Sequence, residues 1–219
     1  MISRALLLFA GVAPVIAVTV AYMLGVYEGV LPRCLPFIDG CTSISATGRY
    51  TPGSYVFKPL FLLQSGLLLW IWFSLARYFR VSAVGHPVRV AKTIEIAALI
   101  ASVALVVYTL TLGSNIPLYE FMRRFGIYFY FIGTVACQIA ATLALRRLVH
   151  GRPLAVRAMI ALVAAPFVLG FVNFYLKATI NDADSWENRI EWCAALLMQA
   201  WFVCLYAVTG SLRESPFAR

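Results

Sequence analysis

The chain has 219 residues, of which 62% are hydrophobic and only 12% charged, with a mean hydropathy of +0.85 and a formal charge of +9. A water-soluble domain carries about a quarter charged residues, and half that share cannot cover its surface. The composition excludes a soluble enzyme, a disordered segment and, despite a pI near 9.6, a nucleic-acid binder; the chain reads as an integral membrane protein.

Crossing about 30 Å of hydrocarbon takes roughly 20 apolar residues in a helix. Six such windows occur, at residues 5–27, 55–76, 93–112, 125–145, 154–176 and 190–212, with an outer loop over 28–54. The first follows Arg4 as a secretory signal would. It is too long for a signal's apolar region and has no small-x-small cleavage site before Glu28, so it reads as a retained helix. Pro14 and Pro166 should kink helices 1 and 5 and free backbone carbonyls that neighbouring polar side chains can satisfy. Pro87 and Pro153, each two residues after a glycine, read as first helical positions of the third and fifth helices. The expected fold is all-α: a polytopic membrane protein with one six-helix domain over residues 1–219.

Lysine and arginine set the orientation. Arg4, Arg77, Arg80, Arg89, Lys92, Arg146, Arg147, Arg152, Arg157, Arg213 and Arg219 fall on one side; Arg33, Arg49, Lys58, Arg123, Arg124, Lys177 and Arg189 fall on the other. The positive-inside rule puts both termini in the cytoplasm. Of the acids only Glu95 and Glu214 lie inside, which leaves the outer face neutral and gives the cytoplasmic face the whole net charge. The inner arginine clusters act as topology anchors and attract anionic lipid by about 1 kcal/mol per charge. The membrane is the inner one in a bacterium and an endomembrane or plasma membrane in a eukaryote.

Cysteine and histidine limit the chemistry. Cys34 and Cys41 lie in the outer loop, where an oxidising compartment favours a disulfide over free thiols. Cys137, Cys193 and Cys204 fall within spans and read as small packing residues. The two histidines, His86 and His150, lie in separate cytoplasmic loops, so a zinc-dependent hydrolase is disfavoured; no metal and no cofactor is expected. No nucleophile elbow or glycine-rich phosphate loop occurs.

Polar groups at membrane depth remain. Gln64, Gln138 and Gln199 should hydrogen-bond between helices. Ala136, Ala140 and Ala144 repeat every fourth residue and suggest a close helix contact. At the outer boundary, Lys58 begins helix 2, Arg123 and Arg124 open helix 4, Lys177 ends helix 5, and Glu191 and Trp192 begin helix 6. Lys177 and Glu191 lie at matching depths, where an ion pair is the plain explanation. Arginine's planar fork suits phosphate, so the same groups can also form a lipid-headgroup pocket; an ordinary interfacial rim with Trp and Tyr anchors is the alternative.

The outer loop reads Thr42-Ser43-Ile44-Ser45-Ala46-Thr47-Gly48, then Pro52, then Tyr55-Val56-Phe57-Lys58, and helix 6 opens with Ile190-Glu191-Trp192. This resembles the family of six-helix membrane proteins that groups the damage-regulated autophagy modulators, the Sfk proteins and the FGF-receptor-activating protein. Its members typically carry an I-S-x-T-G type motif, a following Pro, and an E-W or E-Y pair opening the last helix. The wording here is most similar to the branch that remodels the lipid of GPI anchors. The resemblance implies lipid handling at the outer or luminal leaflet, with Ser45, Thr47, Gly48, Pro52, Glu191 and Trp192 as the matching positions. Ala46 and Gly53 stand where many members have acids, so a carboxylate role at those positions is lost; Asp39 is the nearest substitute.

Two readings follow. In the first the protein binds or remodels membrane lipid, through acyl-chain remodelling, with Ser45, Thr47, Lys58, Arg123, Arg124, Lys177, Glu191 and Trp192 around the headgroup and Glu191 the candidate general base. Acyl transfer needs such a base within hydrogen-bond reach of the attacking hydroxyl. In the second it is a noncatalytic interaction or assembly subunit with a membrane-protein partner, and the Ser/Thr/Gly-rich loop only shapes the bundle's cap.

Overall fold

The computed structural model describes residues 4–81, 87–149, 153–180 and 183–212. His86, His150, Arg152, Asp182, Arg213, Glu214 and Arg219 lie outside the described residues. The elements are α1 (Arg4–Tyr27), α2 (Pro36–Asp39), α3 (Ile44–Thr47), α4 (Gly53–Val81), α5 (Pro87–Thr111), α6 (Pro117–Leu148), α7 (Pro153–Thr179) and α8 (Ala183–Leu212). No strand occurs among the described residues. The six long helices are each long and apolar enough to cross a membrane, as the hydropathy windows predict.

Two of them begin well outside the predicted spans. α6 starts at Pro117, whose fixed φ suits a first helical turn, with Glu120 placed favourably in that turn. α8 starts at Ala183, so the polar run through Arg189 is helical although it has no apolar signature.

Packing follows a ring. α5 lies against α4 and α6, α4 against α1, α1 against α8, and α8 against α7, whereas the consecutive pair α6 and α7 touch far less. The tightest seam, α5 with α6, rests on glycine. A Cβ at Gly126 would sit 3.0 Å from the Ala104 carbonyl oxygen, and one at Gly133 would sit 2.8 Å from that of Ala97. Ala140 and Ala144 of the alanine row are half-buried against the core. Glycine's missing side chain lets the backbones come closer than alanine would, and Ala136 lines a cleft on another side of α6. In the half of the bundle away from the outer loop, Trp72, Trp201 and Phe202 pack against one another. Trp201 Nε1 donates to Thr142 Oγ1 at 2.9 Å, and Gln138 Nε2 donates to the Met198 carbonyl at 3.0 Å, tying α6 to α8 there. Arg80 and Glu95 join α4 to α5 through an ion pair of 2.6 Å.

Pro14 explains one buried polar contact. Its missing N–H leaves the Ala10 carbonyl without an intrahelical donor, and the buried Gln64 side chain supplies one, Nε2 to oxygen at 2.8 Å. Gln64→Leu should orphan that carbonyl and cost about 1–3 kcal/mol, read as a lower Tm in detergent. Pro14→Ala restores a donor within the helix. The double variant should recover most of the loss; if it melts like Gln64→Leu alone, the carbonyl is not the reason.

The outer loop is fastened down at several points. Cys34 and Cys41 are disulfide-bonded, as predicted, and close a loop worth about 2–3 kcal/mol of chain entropy. Tyr22 Oη donates to the Cys34 carbonyl and accepts from the Cys34 N–H. α8 grips the loop from the other side. Asn188 Nδ2 donates to the Gly40 carbonyl at 2.8 Å, Trp192 Nε1 donates to that of Thr42 at 2.9 Å, and Phe37 packs edge-on against the Trp192 ring. Ser43 Oγ caps α3 by accepting from the Ala46 N–H at 3.1 Å.

Candidate functional site

α6 and α7 touch far less than the other neighbouring long helices, and the seam between them opens towards the outer end. It holds a cleft of about 660 Å³, within the range of small-molecule sites. Its upper part is polar. Ser43 and Ser45 reach it from α3 and its cap, Arg49 from the loop, Arg123 and Arg124 from the end of the second turn of α6, and Asn173 and Glu191 from α7 and α8. Its lower part is apolar, lined by Ile132, Val135, Ala136 and Ile139 on α6 and by Phe167 on α7.

The charges at the rim do not cancel. Glu187 pairs with Lys177, Oε2 to Nζ at 2.7 Å. This corrects the expected partner of Lys177. Depth alone does not distinguish Glu187 from Glu191, one helical turn apart, and Glu191 instead takes hydrogen bonds from the backbone N–H groups of Ser45 and Ile44 at the start of α3. Among the described residues, Arg49, Arg123 and Arg124 form no ion pair. Three guanidinium groups thus face one unneutralised carboxylate. The rim also holds unmet hydrogen-bonding capacity, because the buried Arg49 Nε and Asn173 Oδ1 have no partner among the described residues. Ser45 Oγ and Tyr108 Oη share a hydrogen bond of 2.9 Å on the wall nearest Glu191.

Of the residues singled out in the sequence, Ser45, Arg123, Arg124 and Glu191 share this cleft. The others do not line it. Thr47 is buried with its hydroxyl donating to the Ile44 carbonyl, and Lys58 lies on α4, across the ring. Lys177 is held by Glu187, and Trp192 turns into the bundle beneath the loop. Asp39 is no substitute carboxylate for the cleft, because its Oδ2 accepts from the Leu35 N–H at 2.7 Å. Asn173, at the end of the fifth predicted span, also belongs to the polar groups at the outer boundary, whereas the sequence reading missed Arg49 and Tyr108 as site residues. Arg49 follows directly on Gly48 of the loop motif, a signal that was available.

A second cavity of about 320 Å³ lies inside the ring, bounded by α1, α4, α6 and α8 and roofed by Phe37 and Ile44 of the outer loop. Tyr108, Ile127, Phe131 and Glu191 line both spaces and form the partition between them.

The family model described as Frag1/DRAM/Sfk1/Cwh43P N-terminal domain matches residues 1–207. No curated protein and no solved structure matches the chain.

Proposed function

We propose that this chain, which belongs to the Frag1/DRAM/Sfk1/Cwh43P family of membrane proteins, binds an anionic lipid from the outer leaflet and acts on its acyl ester. The observation that carries the reading is the cleft's polarity gradient. Three unpaired arginines stand over an apolar floor, in a seam between two membrane helices. Phosphate is the headgroup chemistry that suits them, since a guanidinium donates two parallel hydrogen bonds to phosphate oxygens. The open α6/α7 seam gives such a lipid a lateral way in, with its chain lying along Ile132, Ala136 and Phe167 and its glycerol region level with Glu191 and the Ser45–Tyr108 hydroxyl pair. There Glu191 serves as general base. It takes the proton of an attacking hydroxyl as the ester carbonyl is attacked, and returns it to the departing alkoxide.

Native mass spectrometry of gently extracted protein tests the binding half. The wild-type chain should retain a phosphate-bearing lipid, and Arg123→Ala with Arg124→Ala should reduce that retention at least tenfold. The loss of two charge-assisted contacts supports a change of that size. Unchanged retention in the double variant overturns the reading. So does a wild-type chain that carries a protein subunit and no lipid, which is the result expected of an assembly protein.

A further inference from the structure

The outer cleft offers an apolar floor along α6 and α7 for one chain, and a second apolar space adjoins it. Behind the partition of Tyr108, Ile127, Phe131 and Glu191 lies the inner cavity, whose walls are almost wholly hydrocarbon: Val15 and Val18 from α1, Phe61 from α4, and Ala195, Leu196 and Met198 from α8. Protein interiors are close-packed, and an apolar hole of this size loses contacts that an apolar guest would restore. Water is a poor occupant, because a buried water needs two to four polar partners. The polar groups at the walls are largely engaged with the protein itself. Thr19 donates to the Val15 carbonyl and Trp192 Nε1 to the Thr42 carbonyl, while the buried Gln199 Oε1 has no partner among the described residues and is a single acceptor where a water needs two or more.

The position of the cavity identifies its guest. It lies among membrane-spanning helices, directly under the disulfide-closed loop, and it meets the headgroup cleft along a wall of three bulky side chains and one carboxylate. A molecule anchored by its phosphate at the arginine rim therefore has two apolar compartments below it, one on each face of that wall.

We infer that the inner cavity receives the second acyl chain of the same lipid, so that the ligand class is a two-chain anionic phospholipid held astride the Tyr108–Phe131 partition. This rests on the lipid reading of the outer cleft and goes beyond it by assigning the interior space and the number of chains. The wall residues then sort the chains. The chain outside the partition stays open to the bilayer through the α6/α7 seam, and the inner one lies against α1, α4 and α8.

The full-length protein in detergent micelles, titrated with phosphatidylglycerol and with its single-chain lyso form and read by native mass spectrometry, tests this. The wild type should prefer the two-chain lipid at least tenfold. Ala195→Phe, which places a ring in the inner cavity, should abolish that preference while lyso-lipid binding persists. Ala136→Phe, which blocks the outer floor, should weaken both. A photoactivatable group on one chain of phosphatidylglycerol, used with unaltered protein, gives an independent readout: crosslinks should appear on α1 and on α8 near Met198 as well as on α6. If the wild type binds both lipids equally, or crosslinks fall only on α6 and α7, the inner-chain assignment is wrong and the cleft reading stands. If neither lipid binds, the cleft reading itself fails.

Discussion

Replacing Gly40 by alanine should unfasten the outer loop from α8 and with it the roof of both cavities. Two costs combine at this position. Gly40 ends α2 with φ +65°, a left-handed conformation that costs an L residue about 1–2 kcal/mol. The added Cβ would also fall on the backbone carbonyl of Ser185, in the first turn of α8, well inside contact distance. Neither side can easily yield. Cys41 is held by its disulfide to Cys34, Asn188 holds the Gly40 carbonyl, and Arg189 reaches the Asp39 carbonyl. The expected result is at least hundredfold faster amide exchange across residues 34–47, the change that roughly 3 kcal/mol of local stability would produce. Retained lipid should fall with it, since α3 carries Ser45 to the cleft. Gly29→Ala is the control. Gly29 has φ +72° but nothing near a new Cβ, so it bears the conformational cost without the collision. If both variants exchange alike, the Gly40–Ser185 approach is not what holds the loop.

The sequence and the structure part company for reasons that can be traced to residues. The six helices were legible because transfer into hydrocarbon is decided residue by residue, and windows of about 20 apolar residues need no knowledge of neighbours. Helix starts were less so. Pro117–Arg124 and Ala183–Arg189 are helical without being apolar, and hydropathy stops at the membrane while hydrogen bonding does not. The Cys34–Cys41 bond followed from compartment and loop position, and the Gln64 contact from the combined presence of Pro14 and a polar side chain at depth. What could not be read was azimuth. Assigning Lys177 to Glu191 used depth correctly, but which of two acids one turn apart faces α7 depends on how α8 is rotated. That rotation also turns Trp192 onto Thr42 and Phe37. Ring order was equally hidden. Tyr108 reaches Ser45 only because α5 lies beside α6 while the loop folds back over them, an arrangement that no local pattern encodes. The candidate cleft was thus half visible: Arg123, Arg124, Asn173 and Glu191 were legible at the outer boundary, Arg49 was overlooked beside the loop motif, and Tyr108 came from topology.

Glu191→Gln should separate chemistry from architecture at the centre of the cleft. The carboxylate has two possible roles, and they make different demands on its atoms. As a structural acceptor it holds the backbone N–H groups of Ser45 and Ile44 at the start of α3, and an amide oxygen of the same length can accept those bonds nearly as well. As a general base it must take up a proton, which an amide cannot do at neutral pH. The glutamine variant should therefore fold with an almost unchanged Tm, keep its Cys34–Cys41 bond and retain bound lipid, because the arginine rim is intact. Acyl exchange between phospholipids in reconstituted vesicles, followed with an isotope-labelled chain, should fall about 10²–10⁴-fold, the usual contribution of a positioned base. Glu191→Ala removes both functions and should lose stability and lipid as well as turnover, by orphaning two N–H groups in a partly buried wall at about 1–3 kcal/mol each. Each alternative has its own signature. A glutamine variant that exchanges chains at the wild-type rate assigns Glu191 to holding α3 alone. A wild-type protein that binds lipid and exchanges nothing makes the cleft a binding site without catalysis, in which the same carboxylate repels a second anion and helps to limit the site to one headgroup.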